Sequence, residues 1–154
     1  MLEQNIFREY DIRGVADHDM PSEGIVGLGR ALGTYLRRQG APKVNIGRDV
    51  RLSGQRLRDA LVEGLLAAGC QVTDLGVVPT PLLYYSVEHL GAQAGVMITG
   101  SHNPADYNGF KTMLGNGTIY GAAIQELYRI LAERDFESGE GSLSTADVMA
   151  AYVD

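Results

Sequence analysis

Ala94-Gly95-Val96-Met97-Ile98-Thr99-Gly100-Ser101-His102-Asn103-Pro104 is the stretch on which the fold turns. Its first half, Ala94 to Thr99, is apolar on both alternating sets of positions, the pattern of a strand covered on both sheet faces. Its second half is made of turn formers. Gly100 lets backbone approach a ligand or another chain segment closely, and Pro104 holds Asn103 extended and stiffens the loop. A strand buried on two faces needs helices on both sides, and in such open sheets ligands bind beyond the carboxyl ends of the strands. Ser101 is placed there. On local features alone, Ser-His-Asn-Pro is also a good ordinary turn.

The rest of the chain alternates in the same sense. Phe7 to Ile12 reads as a first strand. A helix over about 23–39 follows, with Ile25, Leu28, Leu32, Tyr35 and Leu36 on one face and Gly40 past its end. Lys43 to Gly47 is a strand. Ser53 is placed to cap a helix over about 54–68, with Leu57, Leu61, Leu65 and Ala68 inward. Gln71 to Val78 is the next strand, and Pro79-Thr80-Pro81 breaks it before a helix over about 82–90. After the Ser101 loop come a strand over Gly109 to Leu114, a turn at Gly115-Asn116-Gly117 and a helix over about 122–134. Strands alternating with helices predict an α/β fold with a largely parallel sheet and one antiparallel element. Asp135 to Ser144 is polar and Gly/Ser-rich, the composition of a linker, and Thr145 to Val153 reads as a short helix.

Composition excludes more than it identifies. The 154 residues are 45% hydrophobic and 21% charged, enough for a core without disulfides or metal. The formal net charge of −6 argues against nucleic acid as a partner, which needs a basic surface. It does not exclude a phosphorylated small molecule held by a few arginines. No apolar run approaches the roughly 20 residues of a membrane span, and the first 13 residues lack the apolar centre of a signal peptide, so the expected location is cytoplasmic. The one cysteine, Cys70, reads as a buried structural thiol. Gly27-Leu28-Gly29-Arg30-Ala31-Leu32-Gly33 has the wrong spacing for a dinucleotide fingerprint and lies inside a helix, so these glycines are expected to let helices pack closely. There is no Gly-x-Ser-x-Gly elbow, no Gly-x-x-x-x-Gly-Lys loop and no metal-ligand spacing of Cys or His.

Two further segments carry candidate chemistry. Phe7-Arg8-Glu9-Tyr10-Asp11-Ile12-Arg13-Gly14 sets two arginines and a tyrosine within eight residues, a possible phosphate corner because guanidinium forks match phosphate oxygens. It also reads as an edge strand with exposed charges. Gly47-Arg48-Asp49-Val50-Arg51-Leu52-Ser53-Gly54 joins a strand end to a helix N-terminus, a natural anion site. Its ordinary alternative is a capped helix with the strand-end arginine paired to Asp49. Lys111 can turn back toward the Ser101 loop, or stand as a solvated charge.

Taken together, these segments resemble the α-D-phosphohexomutase superfamily. The resemblance rests on Phe7 to Gly14, Gly47-Arg48-Asp49, Pro79-Thr80-Pro81, Thr99 to Pro104 and Tyr107-Asn108-Gly109-Phe110-Lys111, and spans nearly the whole chain. Its spelling is most similar to the bacterial phosphomannomutase/phosphoglucomutase branch. The resemblance implies a three-layer α/β/α domain with a mixed, largely parallel four-stranded sheet. It implies that Ser101 is phosphorylated and passes its phosphoryl group to a hexose monophosphate through a bisphosphorylated sugar. It implies catalytic roles for Ser101, His102, Lys111 and Arg13, and substrate or phosphate contacts from Tyr10, Arg13, Arg48, Asn103 and Asn108. Mg2+ is the implied cofactor, held in this chain by the phosphate on Ser101, with its other ligands in a second domain; a hexose bisphosphate is the implied activator. The partners implied are mannose or glucose phosphates and the remaining domains of one polypeptide. The expectation is that 1–134 form the first domain and 135–154 a linker and the start of the next, so that this fragment alone is inactive. A stand-alone phosphate-binding or regulatory module is the alternative.

Overall fold

A computed structural model describes residues 2–149. After a single 3-10 turn at Gln4–Ile6, the elements are β1 (Ile12–Val15), α1 (Ala16–Asp19), α2 (Ser22–Arg38), β2 (Lys43–Arg48), α3 (Gly54–Ala67), β3 (Gln71–Val77), α4 (Thr80–His89), β4 (Ala94–Ile98), β5 (Tyr107–Leu114), β6 (Gly117–Thr118), α5 (Ala122–Glu133) and β7 (Ser142–Thr145). The sheet order is β1-β5-β4-β2-β3-β7, with β6 paired to β5. β2 pairs parallel to β3 and β4, and β3 parallel to β7; β5 is antiparallel to β1, β4 and β6. Every strand but β5 therefore runs the same way.

All five residues of β4 are buried, as its apolar run predicts, and the two faces divide by period two. Val96 and Ile98 join the larger core with Val44 and Ile46 of β2, Leu28 and Leu32 of α2, Leu61 and Leu65 of α3, and Leu127 of α5. Met97 faces the other way and packs with Leu82 and Leu83 of α4. The three layers are thus α2, α3 and α5, then the sheet, then α4. Gly29 and Gly64 let α2 and α3 touch backbone to backbone: a Cβ on Gly29 would lie 2.9 Å from the Gly64 Cα. Cys70 is fully buried, and burial pushes its thiol up to about 11.

Among the described residues the sheet has seven strands rather than four. The extra ones are short edge pieces, which carry too few residues for a hydrophobic period to register. The expected strand over Phe7 to Ile12 is also displaced. Phe7 is buried and bridges to Ile12, but the Arg8 N–H bonds to the Asp11 carbonyl at 2.9 Å, so residues 8–11 form a turn. The charged run Arg8, Glu9 and Asp11 cannot be covered and stays out. Ser53 does not cap α3 with its side chain; its Oγ accepts from Asn108 instead. The polar stretch 135–144, expected as a linker, folds back. Gly139 and Gly141 donate to the carbonyls of Ala67 and Leu66, and Ser142–Thr145 pairs with β3. Residues 142–145 therefore extend the sheet at the position where a short helix was expected to begin, and the end of that expected helix, 150–153, lies outside the described residues.

Candidate active site

The carboxyl ends of β2 and β4 and the start of β5 share one edge of the sheet, and three segments meet there: 49–53, 99–104 and 107–109. Ser101 sits at the crown of the second. Its φ of 53° is left-handed, a conformation that costs a residue with a Cβ roughly 1–2 kcal/mol. The turn is exposed, so packing does not hold it there. Hydrogen bonds do. The Ser101 N–H donates to Thr99 Oγ1 at 3.0 Å, and Asn103 donates to the Gly100 carbonyl from both its backbone N–H and its Nδ2, each at 3.0 Å.

The strongest ties come from the first segment. The Arg51 side chain is only 13% exposed. Its Nη2 donates to the carbonyls of Ser101 at 3.0 Å and Asn103 at 2.8 Å. Its Nη1 donates to those of Pro104 and Tyr107, the latter at 3.0 Å. Its Nε faces Asp49 Oδ2 at 3.4 Å. That same oxygen accepts from Thr99 Oγ1 at 2.8 Å and from the Gly100 N–H at 3.3 Å. One guanidinium thus closes four carbonyls onto itself while Asp49 neutralises it. Gly100 leaves room for this arrangement, because a Cβ there would run into the Arg51 guanidinium.

The cations expected near Ser101 come from the neighbouring strands. Gly109 lies opposite Arg13 and its carbonyl accepts the Thr99 N–H, so Arg13, Gly109 and Thr99 form a row across three strands. Strands lie about 4.8 Å apart, and Gly109 puts no side chain between Arg13 and the loop. Arg13 rests 3.7 Å from Asp11, with 41% of its side chain exposed. Lys111 lies opposite Met97 on the same sheet face as Arg13, and its side chain has no hydrogen-bond or ion-pair partner among the described residues. His102 is exposed beside Ser101.

Other expected site residues fall elsewhere. Asn108 is fully buried: its Nδ2 donates to Ser53 Oγ at 2.8 Å and its Oδ1 accepts the Gly109 N–H at 2.9 Å. It holds the first and third segments together from beneath and is not presented to a substrate. The Arg48 Nη2 donates to Gln55 at 3.0 Å, and Arg48 lines an open cleft of about 500 Å3 with Arg58, Asp74 and Gly76. It does not pair with Asp49; Arg51 takes that carboxylate. Tyr10 projects from the 8–11 turn, 68% exposed, its ring centroid 6.3 Å from that of Tyr120. Among the described residues neither Tyr10 nor Arg48 bonds to the Ser101 loop. Sequence reasoning missed Arg51 and Thr99. The only signal was a second arginine two residues beyond Asp49, in a segment already singled out for Arg48.

Residues 4–138 match the family described as phosphoglucomutase/phosphomannomutase, alpha/beta/alpha domain I. The chain belongs to this family. A phosphomannomutase/phosphoglucomutase of Pseudomonas aeruginosa is 46% identical over 151 residues, covering 98% of this chain and 33% of the relative. A phosphoglucomutase of Neisseria gonorrhoeae is 41% identical, covering 99% of this chain and 34% of the relative. The crystal structure of a phosphoglucomutase/phosphomannomutase family protein from Burkholderia thailandensis superposes with a TM-score of 0.93 at 43% identity, over 99% of this chain and 35% of that one. The chain spans about a third of the length of the curated relatives it matches.

Were Ser101 phosphorylated, its phosphate would offer Mg2+ a hard oxygen ligand. Among the described residues no three His, Cys, Asp or Glu side chains cluster to hold a cation. Mg2+ takes near-octahedral oxygen coordination and keeps several waters, so one phosphate oxygen is a fitting contribution but not a complete site. No helix among the described residues is long and apolar enough to cross a membrane.

Proposed function

We propose that this chain is the phosphoserine domain of a cytoplasmic phosphomannomutase/phosphoglucomutase, and that Ser101 carries the phosphoryl group between the 1- and 6-oxygens of a hexose phosphate. One observation carries the reading: an exposed serine hydroxyl, on a turn held rigid from beneath, projects at the carboxyl edge of the sheet while the ammonium of Lys111 stands unpaired on a neighbouring strand.

The chemistry follows from that placement. The Ser101 Oγ–P bond breaks as a sugar hydroxyl oxygen bonds to phosphorus, and the hydroxyl proton must end on Ser101 Oγ. His102 beside it is suited to relay that proton. The resulting bisphosphorylated sugar returns its other phosphoryl group to Oγ in the reverse step. Phosphoryl transfer asks the protein mainly for positioning and charge neutralisation. Lys111 and Arg13, the latter released from Asp11, supply positive charge on the side of the incoming sugar. Mg2+, when bound to the phosphate, adds Lewis-acid stabilisation of the developing charge. Asn103 shapes the loop rather than gripping substrate, and Tyr10 and Arg48 are left for the sugar's more distant groups. The remaining recognition of the hexose falls to parts of the protein beyond this chain.

The test is steady-state interconversion of glucose and mannose phosphates by the full-length enzyme, with a hexose bisphosphate activator. Ser101→Ala should abolish nearly all turnover and leave the melting temperature almost unchanged, since surface substitutions stay within about 0.5 kcal/mol. Parental turnover by a normally melting Ser101→Ala enzyme would overturn the reading. The isolated chain should show no mutase activity; turnover near the ordinary enzyme median of about 10 s−1 would instead make it a complete catalyst.

A further inference from the structure

Backbone donors in the Ser101 loop can be accounted for one by one. The Gly100 N–H goes to Asp49, the Ser101 N–H to Thr99 Oγ1 and the Asn103 N–H to the Gly100 carbonyl; Pro104 has none. Over residues 100–104 this leaves the N–H of His102, which has no acceptor among the described residues. Its direction is determined by Arg51. The Ser101 carbonyl belongs to the same planar trans peptide as the His102 N–H, so the two point in opposite directions. Nη2 of Arg51 draws the carbonyl inward at 3.0 Å, and the N–H of the same peptide is turned the other way, outward.

We infer that Arg51 is a positioning residue for the phosphoryl group: by drawing the Ser101, Asn103, Pro104 and Tyr107 carbonyls onto its guanidinium, it presents the His102 backbone N–H to the phosphate on Ser101. The inference rests on the mutase reading and names the device by which the loop is organised for it. An outward N–H aimed where charge develops is the arrangement that stabilises a transferring anion without reorganisation at the moment of reaction. Arg51 itself faces away from the reacting atoms and touches only backbone and Asp49. Lysine cannot substitute, because a point charge lacks the planar fork that spans four carbonyls.

The experiment uses the full-length enzyme, with Arg51→Ala and Arg51→Lys assayed on glucose 1-phosphate, Ser101→Ala as control, and NMR of the phosphorylated protein. Both Arg51 variants should lose about 100-fold in kcat, the scale of an ångström-sized misplacement, with KM moved by less than about threefold. In the parent, the His102 amide proton should shift downfield when Ser101 is phosphorylated; in Arg51→Lys, which keeps the charge, that shift should vanish. A purely structural arginine would move neither the kcat-to-KM split nor this signal. An Arg51→Lys enzyme running at the parental rate overturns the inference, as does a parental His102 amide indifferent to phosphorylation, which needs no variant to fold. An active Ser101→Ala enzyme would instead remove the mutase reading itself, so the two failures are distinguishable.

Discussion

β5 is entered and left by a turn, and the two turns are held in opposite ways. At its far end, Gly115 adopts a φ of 62° in open space, with nothing within 4 Å of where a Cβ would stand, and donates to the Gln93 carbonyl at 3.0 Å. The residue type suffices there, since glycine enters the left-handed region without penalty. At its near end, Ser101 adopts almost the same φ, 53°, without that freedom. It is kept there by Arg51 and Asp49, residues about fifty positions away in the chain. A turn built by composition only reverses the chain. A turn built by tertiary hydrogen bonds can hold a residue with a Cβ in a strained geometry, because the surroundings over-determine it.

The contrast is broken most severely at Gly100. Gly100→Ala places a methyl against the Arg51 guanidinium, so the full-length enzyme should lose at least about 100-fold in kcat; parental rates would show that the guanidinium latch is dispensable. Next comes Asp49→Asn. Its Oδ2 faces three donors, Thr99 Oγ1, the Gly100 N–H and Arg51 Nε. An amide nitrogen in that place leaves donors unmatched, at about 1–3 kcal/mol in denaturant titration. A cost near zero would mean that Asp49 is not the counterweight to Arg51.

The two turns should then answer to glycine with opposite signs. Gly115→Ala should destabilise by about 1 kcal/mol, with activity unaffected, because it forces a residue with a Cβ into a left-handed turn far from the Ser101 loop. Ser101→Gly should exceed Ser101→Ala in stability by about 1 kcal/mol, because it relieves the left-handed strain that alanine keeps, while both lose activity. Equal melting temperatures for the two Ser101 variants would mean that the loop is unstrained. Cys70 gives the smallest but cleanest control. It is buried in the main core and away from the loop, so native alkylation should stay slow in every loop variant that is only locally loosened. Its raised pKa has a sign. The neutral thiol is favoured in the fold, so this contribution is full below the ordinary value of 9.0 and is lost as pH rises toward about 11. Removing the thiol with Cys70→Ala should flatten the fall in stability over that window.

Much of the molecule was legible along the chain, and the parts that were not share a cause. The alternation of Ile25, Leu28, Leu32 and Leu36 at helical spacing, and the unbroken apolar run of 94–98, declare α2 and β4, because burial imposes a period on contiguous residues. The edge strands were not legible. Ile12–Val15 is too short to show a period, and Ser142–Thr145 is exposed throughout, so nothing in its composition separates it from a linker. It becomes a strand because β3 offers an unpaired edge beside it.

The same division runs through the site. Ser101, its loop and the arginine-bearing segments stood out as residue types in suggestive places, and the family could be recognised from them. Which arginine serves the loop did not stand out. Arg48 and Arg51 are equally eligible in the sequence, and only the packed chain gives one to Gln55 and the other to four carbonyls and Asp49. Asn108 looked like a ligand-binding amide and proved to be a buried tie. Sequence by itself determined the helices and the central strands, because these depend on neighbours along the chain. Tertiary structure alone decided the edge strands and the latch on the Ser101 turn, because a hydrogen bond between residues fifty apart leaves no period and no local composition to read.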